Sequence, residues 1–258
     1  RCRSQRCGAS DDIAMKRWLW ASTGIALVTL LVGAALLATR REAPGARSRV
    51  VGLAGTGHPD AAFLRVTEPA ELRFPADHGP HPGYETEWWY TTGNLTAPDG
   101  GRFGYQLTFF RRALVPPARR AARESAWAAD QVFMAHMAVT DVEGRSFQAF
   151  ERFERGALGL AGATADPFRV WLGDWRSEEV EPGVTRLIAT QDGLALDLLL
   201  VDRKGPIPQG DRGFSRKGPD PGDASHYYSL TRLETSGGAR LGEVEHPVEG
   251  RSWMDHEW

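Results

Sequence analysis

The residues best placed to do chemistry lie in two short stretches. The run Ser252-Trp253-Met254-Asp255-His256-Glu257-Trp258 sets two carboxyls and an imidazole between two tryptophans. Read as a strand, it puts Asp255 and Glu257 on one face with Trp253, and His256 and Trp258 on the other. Desolvation beside rings in an apolar lumen drives a carboxyl toward its protonated form, which is what a general acid needs. The competing reading is a barrel rim whose charges pair with arginines. The second stretch, Phe74 to Glu85, holds His78 and His81 three apart, with Asp77, Glu85 and Glu87 close by. Imidazoles and carboxylates bind divalent metals. Here the spacing falls in a Pro/Gly loop with no third histidine near in sequence. A hydrogen-bonded loop without metal is therefore expected, with His81 or Asp77 bonding backbone amides near Tyr84. His136, in Met134-Ala135-His136-Met137-Ala138, reads as a satisfied core histidine. Gly-x-Ser-x-Gly, phosphate-loop and dinucleotide patterns are absent, so serine hydrolysis, nucleotide binding and hydride transfer have no support.

The elements that must position these residues are strands. Glu85–Leu95 and Arg102–Phe110 alternate rings with small or polar residues across Pro98-Asp99-Gly100-Gly101, which predicts a hairpin. Phe133–Thr140 pairs with Ser146–Phe153 across Glu143-Gly144, and Val184–Gln191 pairs with Leu194–Val201 across Asp192-Gly193. Phe168–Trp175 reads as one strand. His226–Leu233 and Arg240–Val244 read as a hairpin across Ser236-Gly237-Gly238, and a last strand starts at Trp253. Ala118–Ala129 is the only helix candidate of any length. Short strands at near-regular spacing predict an all-β antiparallel barrel or sandwich. Whether its rings line a cavity or fill a core is left open by periodicity.

The 258 residues carry a net charge of -2, which gives no footprint for nucleic acid. Both cysteines, Cys2 and Cys7, precede Met15, the expected natural start; thiolate metal sites, disulfides and cysteine nucleophiles are then excluded from the folded part. Trp18 to Thr39 runs 22 residues without charge, between Lys16-Arg17 and Arg40-Arg41. At about 1.5 Å per residue it is long enough to cross a bilayer, and an uncleaved anchor fits the flanking arginines better than a cleaved signal. The expected organisation is residues 1–41 as extension and anchor, 42–66 as linker and 67–258 as the folded domain. A cell-envelope location follows, membrane-anchored or periplasmic.

Phe74-Pro-Ala-Asp-His-Gly-Pro-His-Pro-Gly-Tyr-Glu-Thr-Glu-Trp-Trp-Tyr90 with Gly93-Asn94, then His136 to Asp141, Tyr227-Tyr228-Ser229 and Trp253-Met-Asp-His-Glu-Trp258 resemble the AttH-like family, related to carotenoid 1,2-hydratase (hydroxyneurosporene synthase). The resemblance covers about residues 67–258. It implies a lipocalin-like β-barrel, commonly followed by a second, so the chain is expected to be a truncated form. It also implies cofactor-free hydration, in which an acid protonates a terminal carotenoid double bond and water quenches the cation. That role falls on Asp255, with Glu87 or His256 positioning water. Trp88, Tyr90 and Trp253 are expected to face the cation, and Trp89, His136 and Tyr228 to contact the ligand. Two classes follow: an envelope protein that holds a lipid or isoprenoid in its barrel, with a possible transporter partner, and a hydro-lyase acting on such a ligand. The position of Asp255, in a deep lumen or exposed and salt-bridged, is the feature expected to separate them.

Overall fold

The computed structural model describes residues 63–117 and 125–258. The apolar segment 18–39, both cysteines, most of the expected linker and residues 118–124 lie outside the described residues. Phe63 and Val66, at the end of the expected linker, are buried, and the Leu64 amide donates to the Gly83 carbonyl.

Thirteen antiparallel strands form one nearly closed barrel. They are β1 (Thr86–Thr96), β2 (Arg102–Ala113), β3 (Gln131–Asp141), β4 (Ser146–Arg155), β5 (Ala161–Ala165), β6 (Phe168–Leu172), β7 (Trp175–Glu181), β8 (Val184–Gln191), β9 (Leu194–Asp202), β10 (Pro206–Pro208), β11 (Phe214–Arg216), β12 (Ala224–Leu241) and β13 (Val244–Glu257). The sheet runs β4-β3-β2-β1-β13-β12-β9-β8-β7-β6-β5, with β10 and β11 on the same edge of β12 as β9. β5 and β6 pack back toward β3 and β4, which brings the two ends of the sheet together.

Strict alternation makes the interior. On β9, Leu194, Leu196, Leu198 and Leu200 are buried while Asp197 and Leu199 are exposed. On β2, Phe103, Tyr105, Leu107, Phe109 and Arg111 share the inner face. Four expectations change. Phe168–Trp175 is broken by a turn at Gly173-Asp174 into β6 and β7, because Gly173 adopts φ +60. Ser236-Gly237-Gly238 is no turn but lies inside the 18-residue β12, and the turn falls at Gly242-Glu243. Its partner β13 accordingly begins at Val244 rather than at Trp253. The glycine signal there marks close backbone approach instead: a Cβ on Gly237, at φ +148, would collide with the Asp197 carbonyl of β9. Residues 125–129 form a turn closed by Ala128 N–H to Ser125 O, not the end of a helix.

Candidate functional site

β1, β13 and β12 lie side by side, so the two motifs of the sequence meet across the sheet. The registers align Trp89, His256 and Tyr228 in one row, and Tyr90, Asp255 and Ser229 in the next. Neighbouring rows point to opposite faces. One row faces the barrel interior and the other faces outward.

The inner face centres on Glu87. It is fully buried, as is His256. Glu87 Oε1 accepts from His256 Nε2 at 2.9 Å and His81 Nδ1 at 2.8 Å, and Oε2 accepts from Arg111 Nε at 2.8 Å. The His81 amide donates to both oxygens at 3.0 Å. Arg111 Nη2 donates onward to the carbonyls of His81 and Tyr84, at 2.8 and 2.9 Å. The Pro/Gly loop is thereby tied to the barrel wall. Burial raises the Glu87 carboxyl, but the His256 and His81 hydrogen bonds and the neighbouring Arg111 outweigh it and hold the group well below the usual carboxylate range. Burial pulls His256 below the ordinary imidazole value despite Glu87. His256 Nδ1 lies 3.1 Å from the Asp77 carbonyl and 3.3 Å from the Tyr228 hydroxyl. A neutral ring that donates from Nε2 can accept only from the hydroxyl, whereas bonding the carbonyl takes a proton on Nδ1. Tyr228 O in turn takes His78 Nδ1–H at 2.7 Å.

His81, Glu87 and His256 bring their ligand atoms within 4.8 Å of one another. Their contacts have hydrogen-bond lengths, and both imidazoles address the same carboxylate oxygen, so the donors face each other rather than a shared centre. The expected bonds from His81 or Asp77 to amides near Tyr84 take another form. Tyr84 N–H donates to the His81 carbonyl, the His81 ring bonds Glu87 and Asp77, and Asp77 Oδ2 accepts the Arg73 amide at 2.5 Å. Trp258 stacks on His81 with centroids 3.7 Å apart, closing this end of the barrel.

These groups fix the sign of the pH dependence. His78, His226 and His256 are all lowered by burial, so the unfolded chain binds more protons than the folded one below about pH 6.5. Glu87, also lowered, adds to this below about pH 4.3. Stability is expected to be full at neutral pH and to fall continuously toward pH 4. Urea midpoints across that range check it; a midpoint that rises on acidification contradicts the network.

The outer face carries Asp255. It does not enter the lumen, as the general-acid reading requires, and no cation pairs with it among the described residues, as the rim reading requires. Its Oδ1 accepts from Ser229 Oγ at 2.5 Å, Trp253 Nε1 at 2.6 Å and the Tyr227 hydroxyl at 2.9 Å. Burial pushes Tyr227 up to about 12, with the nearby carboxylates adding to it, so its hydroxyl remains a donor. The row extends across five strands: His136, Thr108, Tyr90, Asp255 and Ser229 are consecutive partners. Flanking it are Met134, Phe110, Trp88, Glu257 and Tyr227. His136 is on this face rather than in the core, edge-on to Phe110 at 5.3 Å and 3.8 Å from Glu151. Three strand spacings, about 14 Å, separate it from Asp255. Glu257 is bound by Lys217 Nζ at 2.5 Å.

The expected site residues thus divide by parity. Trp88, Tyr90, His136, Trp253 and Asp255 face outward, whereas Glu87, Trp89, Tyr228 and His256 face inward. The sequence reading passed over Arg111, although alternation from Phe109 already turns it inward. It also gave no role to Tyr227 and Ser229, which bracket inward-facing Tyr228 and must therefore point out.

The interior above Trp89 is a cavity of about 70 Å³, lined by His78, Thr91, Phe168, Ser177, Glu179 and Asp202 among others. At roughly 10–15 Å³ per water it has room for about five waters. A long isoprenoid does not fit in it.

A family model described as AttH-like matches residues 65–258. A solved structure described as a putative AttH from Nitrosomonas europaea is 34% identical over 76% of this chain and 58% of its own, with a TM-score of 0.67. Kievitone hydratase from Nectria haematococca shares the fold at 10% identity and a TM-score of 0.57, over 76% of this chain and 54% of its own. The chain therefore spans a little over half the length of these proteins. No curated protein matches it. From the matched motifs, the register that unites them and the barrel they build, the chain belongs to the AttH-like family.

Proposed function

We propose that this barrel supplies the acid of a cofactor-independent hydro-lyase, acting on a long apolar alkene laid along the outer face of β3-β2-β1-β13-β12. The observation that carries the reading is the Asp255 carboxyl, whose Oδ1 is held by three donors and which stands among Trp88, Tyr90, Tyr227 and Trp253. Protonating an alkene needs an acid in fixed orientation and a stabilised conjugate base. Three donors on Oδ1 stabilise the carboxylate rather than the protonated acid, so Oδ2 must be protonated when the alkene is bound. Tyr227, Ser229 and Trp253 then hold the charge that appears on transfer. Ring faces beside the band stabilise the tertiary cation by about 0.5–2 kcal/mol each, and water then adds at the cationic carbon and loses a proton. The alkene gains H and OH, and no electrons are exchanged.

Asp255 meets neither expectation in full, since it lies outside the lumen and pairs with no cation among the described residues. A purely binding role inside the barrel has less support because the cavity beside Trp89, at about 70 Å³, is too small for a long isoprenoid. The AttH-like membership and the hydratase named among the fold's other members favour the same class of chemistry. A further barrel over this face, in a longer chain, would shield the cation from bulk solvent while leaving room for the one water that adds to it. The cell-envelope location and a transporter partner belong to the same proposal, as the route by which an apolar substrate arrives.

The test is incubation of the protein with an acyclic carotenoid in ¹⁸O water. A tertiary alcohol carrying the label is expected. Bound but unchanged carotenoid would leave the binding role instead.

A further inference from the structure

The small cavity inside the barrel sits on the opposite face of the sheet from Asp255 and is not used by the chemistry above. Its wall has two halves. Trp89, Phe168, Leu200, Leu230, Leu233 and Met254 are apolar, while Thr91, Ser177, Thr185, Glu179, Asp202 and His78 are polar. No lysine or arginine lines it. Thr91 and Ser177 are only 5% and 7% exposed, yet neither hydroxyl is bonded to another described residue. Neither oxygen is among the side-chain atoms shut off from solvent without a partner, so both hydroxyls open into the cavity and take their hydrogen bonds from whatever fills it.

Glu179 and Asp202 each accept backbone amides, from Gly183 and from Lys204 and Gly205, but neither has a cationic partner among the described residues. Burial pulls His78 below the ordinary imidazole value, so the ring is neutral near pH 7 and does not repel a cation. In the tautomer whose Nδ1–H donates to the Tyr228 oxygen, the His78 Nε2 is an acceptor. Every polar group of the wall can therefore accept an N–H. Glu179, Asp202 and His78 do not bring their ligand atoms within the 4.8 Å of a metal cluster, and half of the wall has nothing to offer a metal. The rings suit an alkyl body beside a positive charge.

We infer that the lumen is a binding site for a small primary alkylammonium ion of about five heavy atoms, with the ammonium toward Glu179, Asp202 and the hydroxyls and the alkyl chain against Trp89 and Phe168. Calorimetric titration of the protein with n-butylammonium chloride tests it, with n-butanol, butyrate and calcium chloride as controls. Saturable one-to-one binding of the amine alone is expected, weakened at least tenfold by Asp202→Asn. Ser177→Val, which fills the space from a strand position, is expected to abolish binding while the melting temperature stays within a few degrees. Equal binding of butanol, preference for calcium or butyrate, no heat with the amine, or unchanged affinity in folded Ser177→Val would each overturn the inference. Asp255→Asn should leave amine binding unaltered, which separates this site from the acid of the outer face.

Discussion

Replacing Arg111 by methionine is expected to destabilise the fold by about 3–5 kcal/mol, the range for stranding one partner of a buried ion pair. Arg111 and Glu87 are 1% and 0% exposed, and their 2.8 Å contact is the only Lys or Arg bond that Glu87 makes among the described residues. Methionine matches the length of the side chain but donates nothing. Glu87 would keep His81 and His256, and the carbonyls of His81 and Tyr84 would lose the donor that ties their loop to β2. The loss is therefore expected in two places. Urea denaturation should report the drop in global stability, and amide exchange should accelerate first across residues 78–85. Replacing Glu87 and Arg111 together by leucine and methionine should recover much of the loss, because a matched apolar pair leaves no charge behind. A single variant as stable as the parent would show that the pair does not hold the loop.

The second large effect is on rate. Asp255→Asn keeps the shape of the carboxyl and its acceptor oxygen for Ser229, Trp253 and Tyr227, but has no acidic proton to give. Hydration of an acyclic carotenoid should fall by about 10²–10⁴-fold, the usual contribution of a positioned general acid, while ligand affinity and the urea midpoint change little. Tyr227→Phe and Ser229→Ala each remove one donor to Oδ1 and should cost about tenfold, or 1.4 kcal/mol of barrier. His256→Asn, one residue away on the strand, faces the interior and should act on stability through Glu87 rather than on chemistry. A rate that survives Asp255→Asn, or falls only in proportion to stability, removes the acid from the account.

Much of the fold was legible because alternation and turn chemistry are local. The Asp192-Gly193 turn, the paired strands on either side of it and the split of Asp255 from His256 onto opposite faces all follow from a period of two. What alternation does not tell is which face is inside. The rings around Asp255 in sequence fit a lumen and its charged neighbours fit a rim, and parity decides between them: Trp253 and Tyr90 share its outward face, and Trp253 is 37% exposed. The inside is settled only by the long pairing of β12 with β13 and β9, which takes the glycines at 237 and 238 through the middle of a strand. Those two glycines carry the same local signal in a turn and in a close backbone crossing, so the hairpin expected there was misplaced by several residues. The Glu87 cluster draws on residues from 81 to 256, and only the registers that bring β1 against both β2 and β13 could assemble it.

The location of the substrate tests the central claim most directly. A crystal structure of the Asp255→Asn protein with an acyclic carotenoid is predicted to show the polyene along the outer band, over Tyr90 and between Trp88 and Trp253, with its terminal double bond at the side chain of residue 255. A polyene threaded through the barrel against Trp89, Thr91 and Ser177 would contradict it.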